Sequence, residues 1–389
     1  MEVSQIYQLT NAAAQEVLGE NDILLEDLSS TVALGEAVFN ANAVDRFVKS
    51  LVNQIGKVIF VNRPYIGKAP NILMDSWEYG SVLEKIRSEM PDAVENESWE
   101  LEDGASYDPN IFHQPTVAAK FWNSKTTFEI DHSIADRQVK QSLQSASQLN
   151  GFISMLMNEV EKSLTVRTDA LIMRTINNLI AETLAAEFPS ADYGDGSGVK
   201  AINLLYLYNQ LNSTATIDAE HALSNREFLR FAAYQMGLWL DRMQAISVLF
   251  NVGGKERFTN KADQHLVMLS EFAKAADVYL SSDTFHDELV KLPTASTVPF
   301  WQGSGDDYSF DQTSGIYVKT QANNTVQANG ILAVLFDKYA CGVHNYDRRV
   351  TAHYNAKAEF TNYFVKQDAG YFNDLDENCI VFYIADETT

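Results

Sequence analysis

Cys341, His344 and His353 stand in C-x2-H-x8-H spacing within GILAVLFDKYACGVHNYDRRVTAHYN, residues 330 to 355. Thiolate and imidazole are ligand types that zinc prefers, but a closed structural site takes four ligands and only three are in reach. Asp347 could be a fourth, yet beside Arg348 and Arg349 it reads more simply as half of a surface ion pair. Read instead as a Cys-His-Asp nucleophile set, the same residues lack the strand-turn-helix that presents such a nucleophile. Asp131, His132 and Ser133 place the three triad residue types side by side. A triad converges from distant positions, however, and neighbours on an extended segment point to opposite faces. Ser133, ahead of a helical run, reads as an N-cap.

The remaining constellations fare no better. Gly194, Gly196 and Gly198 with Lys200 suggest a phosphate loop, but G-x-x-x-x-G-K-[ST] after a strand is absent, and the stretch reads as a flexible linker. Asp374, Asp376 and Asn378 match the start of a calcium loop, which then fails at Cys379, where glycine is required, and at Ala385, where glutamate is. Basic residues do not cluster without an acid beside them, so no nucleic-acid footprint results. No catalytic, cofactor-binding or metal-ligating residue is assigned.

The chain that would have to position such groups has 389 residues, 46% of them hydrophobic and 21% charged. That composition belongs to a folded globular protein of two domains, or one elaborated domain. Its 29 basic against 52 acidic residues, a net charge of −23, exclude a protein that grips DNA or an anionic membrane through a broad positive surface. Two cysteines cannot form a disulfide framework, and a reducing cytoplasm suits them. No segment reads as a secretory signal or reaches the roughly 18 apolar residues of a membrane span, so a soluble, unexported protein is expected.

Along the chain, residues 1 to about 56 read as an arm with an apolar face through Val38, Phe39, Val44, Phe47, Val48, Leu51 and Val52. KVIFVNRPY, NILMDSWEYGSVL, ESWELEDG and TVAAKFWNSKTTFEI follow as β-prone runs separated by prolines. So few strands bury too little by themselves, and their aromatics need another part of the chain or another copy. From about Ser133 to Phe188 the three-four spacing of Ile153, Leu156, Met157, Val160, Leu164, Leu171, Ile176, Leu179, Ile180 and Leu184 predicts helix. Gly151 divides a shorter piece from one about 55 Å long at ~1.5 Å per residue, which should act as a spine. PSADYGDGSGVK, residues 189 to 200, is the clearest loop, and a domain change is expected there. Beyond it, short apolar runs alternate with amphipathic helices, one capped at Ser224 or Asn225. ILAVLF, RRVTAHYN and NCIVFYIAD read as strands, with Cys341 packed in the turn-rich link between the first two and His344 near a surface.

This order of parts resembles the major capsid protein of tailed bacteriophages. MDSWEYGSVLEKIRSEMPDAVENESWEL is similar to that family's extended loop, FWNSKTTFEIDHSI to its return, and GFISMLMNEVEKSLTVRTDALIMRTINNLIAETL to its spine helix. KAINLLYLYN and FLRFAAYQMGLWLDRM resemble the start of its axial domain, and the segment from Gly330 onward its C-terminal stretch. The resemblance implies an α+β fold with an N-terminal arm (1–56), an extended β-hairpin loop (57–125) and a peripheral domain with spine helix (126–190). It further implies a mainly axial domain (200–330) and a C-terminal return completing both domains (331–389).

The resemblance also implies a structural, non-enzymatic protein that self-assembles as hexamers and pentamers into an icosahedral shell around double-stranded phage DNA. The intersubunit contact candidates are Trp77, Glu78, Tyr79, Trp99 and Trp122 of the extended loop; Lys68, Lys85 and Lys120 lie where covalent cross-links could form. Expected partners are further copies, portal, scaffolding and decoration proteins, and DNA held loosely and without sequence preference, with no membrane and no cofactor. The expected location is the virion capsid, assembled in the host cytoplasm. Two other readings stand beside it: a cellular nanocompartment shell of the same fold, and an acidic cytoplasmic hydrolase using His344 or His132.

Overall fold

In the computed structural model the described residues are 3–19, 31–40, 43, 46–47, 50, 69–74, 83–89, 103–104, 110, 112, 114, 116–135, 146–280, 292–302 and 313–387. Helices α1 (Val3–Leu18) and α2 (Thr31–Asn40) lead the chain and pack on each other. Short strand β1 (Leu73–Met74) follows, then β2 (Leu83–Ser88), β3 (Val117–Trp122) and β4 (Lys125–Ala135). Helix α3 runs from Ala146 to Glu187 without interruption. After the loop come β5 (Ala201–Asn203), α4 (Leu204–Leu211), α5 (Ala219–Ala222), α6 (Arg226–Arg242), β6 (Gln264–Leu269), α7 (Ser270–Leu280) and β7 (Ser296–Val298). Strands β8 (Ile316–Lys319), β9 (Thr325–Ala328), β10 (Ile331–Asp337), β11 (Cys341–Asn355), β12 (Phe360–Asn373) and β13 (Cys379–Tyr383) finish the chain. Among the described residues no helix is long and apolar enough to cross a membrane.

Helix α3 forms because a single stripe at helical spacing is buried: Val160, Leu164, Thr168, Leu171, Ile172, Thr175, Ile176, Leu179, Ile180, Thr183 and Leu184. The three threonines in that stripe satisfy their hydroxyls on Leu164 O, Leu171 O and Leu179 O, each at 2.8 Å. At 42 residues the helix is about 63 Å long, enough to lie across two sheets. Val160 and Leu164 pack with Val365 and its neighbours Phe128, Ile130 and Val350 on the four-stranded sheet, order β1-β11-β12-β4. Leu171 to Leu184 pack into the main core, over the five-stranded sheet of order β5-β13-β10-β6-β7. Strands β10 and β13 are buried at every position, as continuous apolar runs in the middle of a covered sheet should be. A buried polar thread pins the helix: Asn177 Nδ2 donates to Trp301 O at 2.7 Å, and Trp301 Nε1 to Ile331 O at 2.8 Å.

Four expectations need correction. Helix α3 continues through Gly151 instead of breaking there. Ser133 is no N-cap: it lies in β4 opposite Asn362, to whose Oδ1 its hydroxyl donates at 2.6 Å. TVAAKFWNSKTTFEI is two strands, β3 and β4, that turn at Asn123 and Ser124 into different sheets. Asp347 lies in a bulge between Asn345 and Arg348 of the single long strand β11, and Arg349, back in register opposite Lys366, pairs with Asp368 at 2.6 Å. The expected cap at Asn225 is present, its Oδ1 accepting from Phe228 N at 3.0 Å.

The loop from 188 to 200 is a loop but not a loose one. Glu187 accepts from Val199 N at 2.5 Å and pairs with Lys200 at 2.8 Å, while Tyr193 O accepts from the Tyr383 hydroxyl at 3.0 Å. Gly194 approaches the segment after the last strand so closely that a Cβ there would stand 1.8 Å from Asp386 O. The main core accordingly contains residues from both sides of this loop, Leu171 to Leu184 before it and Ala201 to Ile384 after it.

Gly330 opens β10 at φ +73°, where an added Cβ would also meet Ile384 O at 2.1 Å. Gly330→Ala should therefore lower unfolding stability by about 2–3 kcal/mol, combining left-handed strain with a backbone clash. Gly196→Ala, with nothing within 4 Å of its added Cβ, should be near neutral. Denaturant midpoints of the two variants check this, and equal losses would refute the assigned cause.

Candidate functional site

Strands β2 and β3 form a two-stranded antiparallel ribbon, separate from both large sheets, with Leu83 opposite Trp122, Lys85 opposite Lys120 and Ile86 opposite Ala119. Alternation gives the ribbon two faces. Leu83, Lys85, Arg87, Ala118, Lys120 and Trp122 share one; Glu84, Ile86, Ser88, Val117, Ala119 and Phe121 share the other. The usual amphipathic order is inverted. The face carrying the three cations lies against the subunit, whereas Ile86, Val117 and Phe121 are 63%, 58% and 63% exposed.

The cause is an acidic turn between β12 and β13. Asp374 and Glu377 are buried there, with side chains only 2% accessible. Lys85 donates to Asp374 Oδ2 at 2.6 Å, to Glu377 Oε1 and to Tyr339 O at 3.3 Å. Arg87 also reaches Glu377 Oε1. Lys120 bridges Asp374 Oδ1 at 2.8 Å and Asp376 Oδ2 at 2.5 Å. Two ammonium groups directly opposite each other on a ribbon repel, and Asp374 removes that repulsion by offering one carboxylate oxygen to each. Trp122 completes the dock by packing on Phe372, with ring centroids 5.2 Å apart. At the ribbon's other end Lys255 holds Glu89 at 3.1 Å.

The turn itself is fixed from inside. Asp374 N donates to Ala340 O at 2.7 Å, Gly253 N to Leu375 O at 2.9 Å, and Asn378 Nδ2 to Thr259 Oγ1 at 3.2 Å. Of the residues that begin a calcium loop in sequence, Asp374 and Asp376 thus hold cationic side chains. Burial works to raise Asp374, but the hydrogen bonds and charges of Lys120 and Lys85 outweigh it and hold the carboxyl below the usual aspartate range. For Glu377 burial wins, and its carboxyl lies above the usual glutamate range despite Lys85 and Arg87.

Of the contact candidates, Trp122 faces its own chain, and Trp77, Glu78, Tyr79 and Trp99 lie outside the described residues, as does Lys68. Lys85 and Lys120 are engaged in the dock. His344, expected near a surface, is 3% accessible, and burial lowers its pKa. Cys341 is buried with its thiol pushed far up, and burial raises Cys379 to about 12, so neither is a nucleophile at neutral pH. Among the described residues no three His, Cys, Asp or Glu side chains gather as a metal site. The dock was missed in sequence because its signal is faint: Lys85 and Arg87 flank Ile86 on a six-residue alternation, and DLDEN lies far along the chain.

The model of the family described as Phi29-like phage major capsid protein matches residues 10–383. No curated protein matches. Among solved structures, the capsid structure of Staphylococcus phage Andhra is similar at 10% identity and TM-score 0.45, over 83% of this chain and 86% of that one. The capsid structure of cyanophage P-SCSP1u is similar at 12% identity and TM-score 0.42, over 84% and 93%. A Microbacterium phage Oxtober96 structure is similar at 10% identity and TM-score 0.44, over 84% and 94%.

Because Asp374 is depressed, its stabilisation is present above the ordinary aspartate pKa and is lost only as pH falls through its lower folded value. Glu377 has the opposite sign: its proton enters first as pH falls and relieves a burial penalty. The ribbon should stay docked at about pH 5 and open only below the ordinary carboxylate range. At neutral pH, Asp374→Asn should speed amide exchange of residues 83–88 at least about tenfold, because Lys85 and Lys120 lose their shared counter-charge. Glu377→Gln should do less. Hydrogen exchange read by mass spectrometry decides, and an unchanged 83–88 segment in Asp374→Asn would show that the dock does not hold the ribbon.

Proposed function

This chain belongs to the Phi29-like phage major capsid protein family, and from that we propose that its copies join through the β2–β3 ribbon into rings that close as an icosahedral shell around the phage genome. As a major capsid protein it is a structural component of the virion capsid and not an enzyme, so the hydrolase reading of His344 and His132 falls away. The observation that carries the proposal is the inverted ribbon. Its cations are consumed by the subunit's own acidic turn, and Ile86, Val117 and Phe121 are left facing outward. A two-stranded ribbon is marginal alone, and an apolar face on it becomes useful when a neighbouring subunit covers it.

In this reading the arm of residues 1–56 and the loop of 57–125 link subunits, with Trp77, Glu78, Tyr79 and Trp99 at or near the contact. Residues 126–190 build the peripheral part, 200–330 most of the axial part around the centre of hexamers and pentamers, and 331–389 return to complete both. A net charge of −23 keeps contact with packaged double-stranded DNA loose, which favours DNA movement during filling and ejection. Portal, scaffolding and decoration proteins are the remaining partners, and assembly takes place in the host cytoplasm. A genome, rather than an enzyme cargo, distinguishes this shell from a nanocompartment.

Purified at high concentration, the protein should give rings or closed shells by electron microscopy; a strictly monomeric sedimentation profile would count against the proposal. Residues 90–115 connect the ribbon strands, and Glu89 N already bonds Thr116 O at 2.9 Å. Replacing 90–115 by Asn-Gly should therefore close a short hairpin and leave a folded subunit that no longer assembles. Normal shells from that variant would remove residues 90–115 from the contact.

A further inference from the structure

Helix α6 ends at Arg242, and the chain then makes a tight shelf from Gln244 to Phe258. Ser247 and Arg257 exchange backbone hydrogen bonds at 2.9 and 3.1 Å, and Thr259 N donates to Met243 O at 2.9 Å. Asn251, itself buried, bonds Lys255 N and Lys255 O, each at 2.7 Å. Phe250 turns inward against Trp239 at 5.8 Å between ring centroids. This well-bonded loop nevertheless holds Ile246, Val248, Leu249 and Phe258 outward, 53%, 46%, 54% and 51% exposed. A loop with one aromatic anchored inside and four bulky apolar groups held outside has an outer face built for contact.

The shelf is not isolated from the ribbon. A cleft of about 580 Å³ lies between them, where Ile86 of the ribbon, Ile246 and Phe258 of the shelf and Tyr339 stand among polar and charged groups that include Arg87, Glu256, Arg257, Asp263 and Asp337. Ile86 therefore joins the ribbon's outward row to the shelf. Together Val117, Phe121, Ile86, Ile246, Phe258, Val248 and Leu249 expose on the order of 700 Å², close to one partner's share of a stable interface. We propose that the ribbon's outward face and the 244–258 shelf are one docking surface, and that its occupant is a second copy of this chain.

Charge points to the same occupant. Arg257 lines the cleft, and its guanidinium makes one hydrogen bond, from Nη1 to Glu256 O at 2.9 Å, with no carboxylate partner among the described residues. Another copy, with 52 acidic against 29 basic residues, brings carboxylates to it. An outward apolar row beside a cation with no carboxylate partner among the described residues suits an acidic neighbour with an apolar patch of its own. The inference rests on the shell reading above and adds the shelf to the contact.

The native thiols are both buried, so a single added cysteine reports cleanly. Leu249→Cys should react readily with a maleimide in unassembled subunits and at least about tenfold more slowly in shells. Val248→Cys serves as a second position if the first variant folds poorly. Equal rates in subunit and shell at both positions would overturn the inference while leaving the shell reading intact. Failure to form any shell, with wild-type protein as well, would instead strike that reading and this inference with it. Protection that appears only when other virion proteins are added assigns the patch to them and also overturns the proposal. The double variant Ile246→Glu, Phe258→Glu should keep its fold by circular dichroism and lose assembly, and normal shells from it would count equally against the shelf.

Discussion

Two carboxylates buried beneath the ribbon decide which way it faces. Asp374 and Glu377 cannot remain ionised at 2% accessibility without cations, and Lys85, Arg87 and Lys120 supply them. Once those three side chains are turned inward, pleating forces Ile86, Val117 and Phe121 outward. A shift of one residue in either strand's register would exchange the faces and leave both carboxylates without counter-charges. The apolar outward face is thus a consequence of electrostatics within the subunit.

That arrangement needs the acidic turn to stay fixed relative to the rest of the fold, and the core does this. The turn joins β12 of one sheet to β13 of the other, and α3 lies across both. Its early stripe at Val160 and Leu164 meets β12 at Val365, and its later stripe packs over β10 and β13. The Asn177–Trp301–Ile331 thread prevents the helix from sliding over the second sheet without unmaking buried hydrogen bonds. A helix seated on both sheets transmits the position of one to the other, so the ribbon is mounted on a turn that both sheets hold.

Much of this was legible in the residues. ILAVLF and NCIVFYIAD are continuous apolar runs of strand length, and the threefold and fourfold spacing from Val160 to Leu184 leaves little choice but helix. Asn225 carries its own signature as a cap. The misreadings share one physical cause: local pattern does not say which sheet or partner a segment meets. TVAAKFWNSKTTFEI is β-prone throughout, and only the corner at Asn123 and Ser124 hints that it changes sheets. Ser133 has the identity of a cap and the environment of an edge position beside Asn362. The ribbon is the sharpest case. Its alternation is plain, but the ordinary rule places the apolar face inward, and the residue that reverses it, Asp374, is 289 positions from Lys85.

The division of labour between the two faces has a consequence for assembly. Contacts within the subunit are charged and largely shielded from solvent, so moderate salt leaves the ribbon's orientation in place. The ribbon's outward row is apolar, so in the proposed assembly its contact survives the salt that screens both the repulsion between chains of −23 net charge and any pairing of Arg257. In that reading salt favours assembly by lowering the repulsion between copies, without altering the subunit's own geometry. A ring of more than two copies needs a head-to-tail contact, so in the proposed assembly the ribbon and shelf meet a different face of the neighbouring copy.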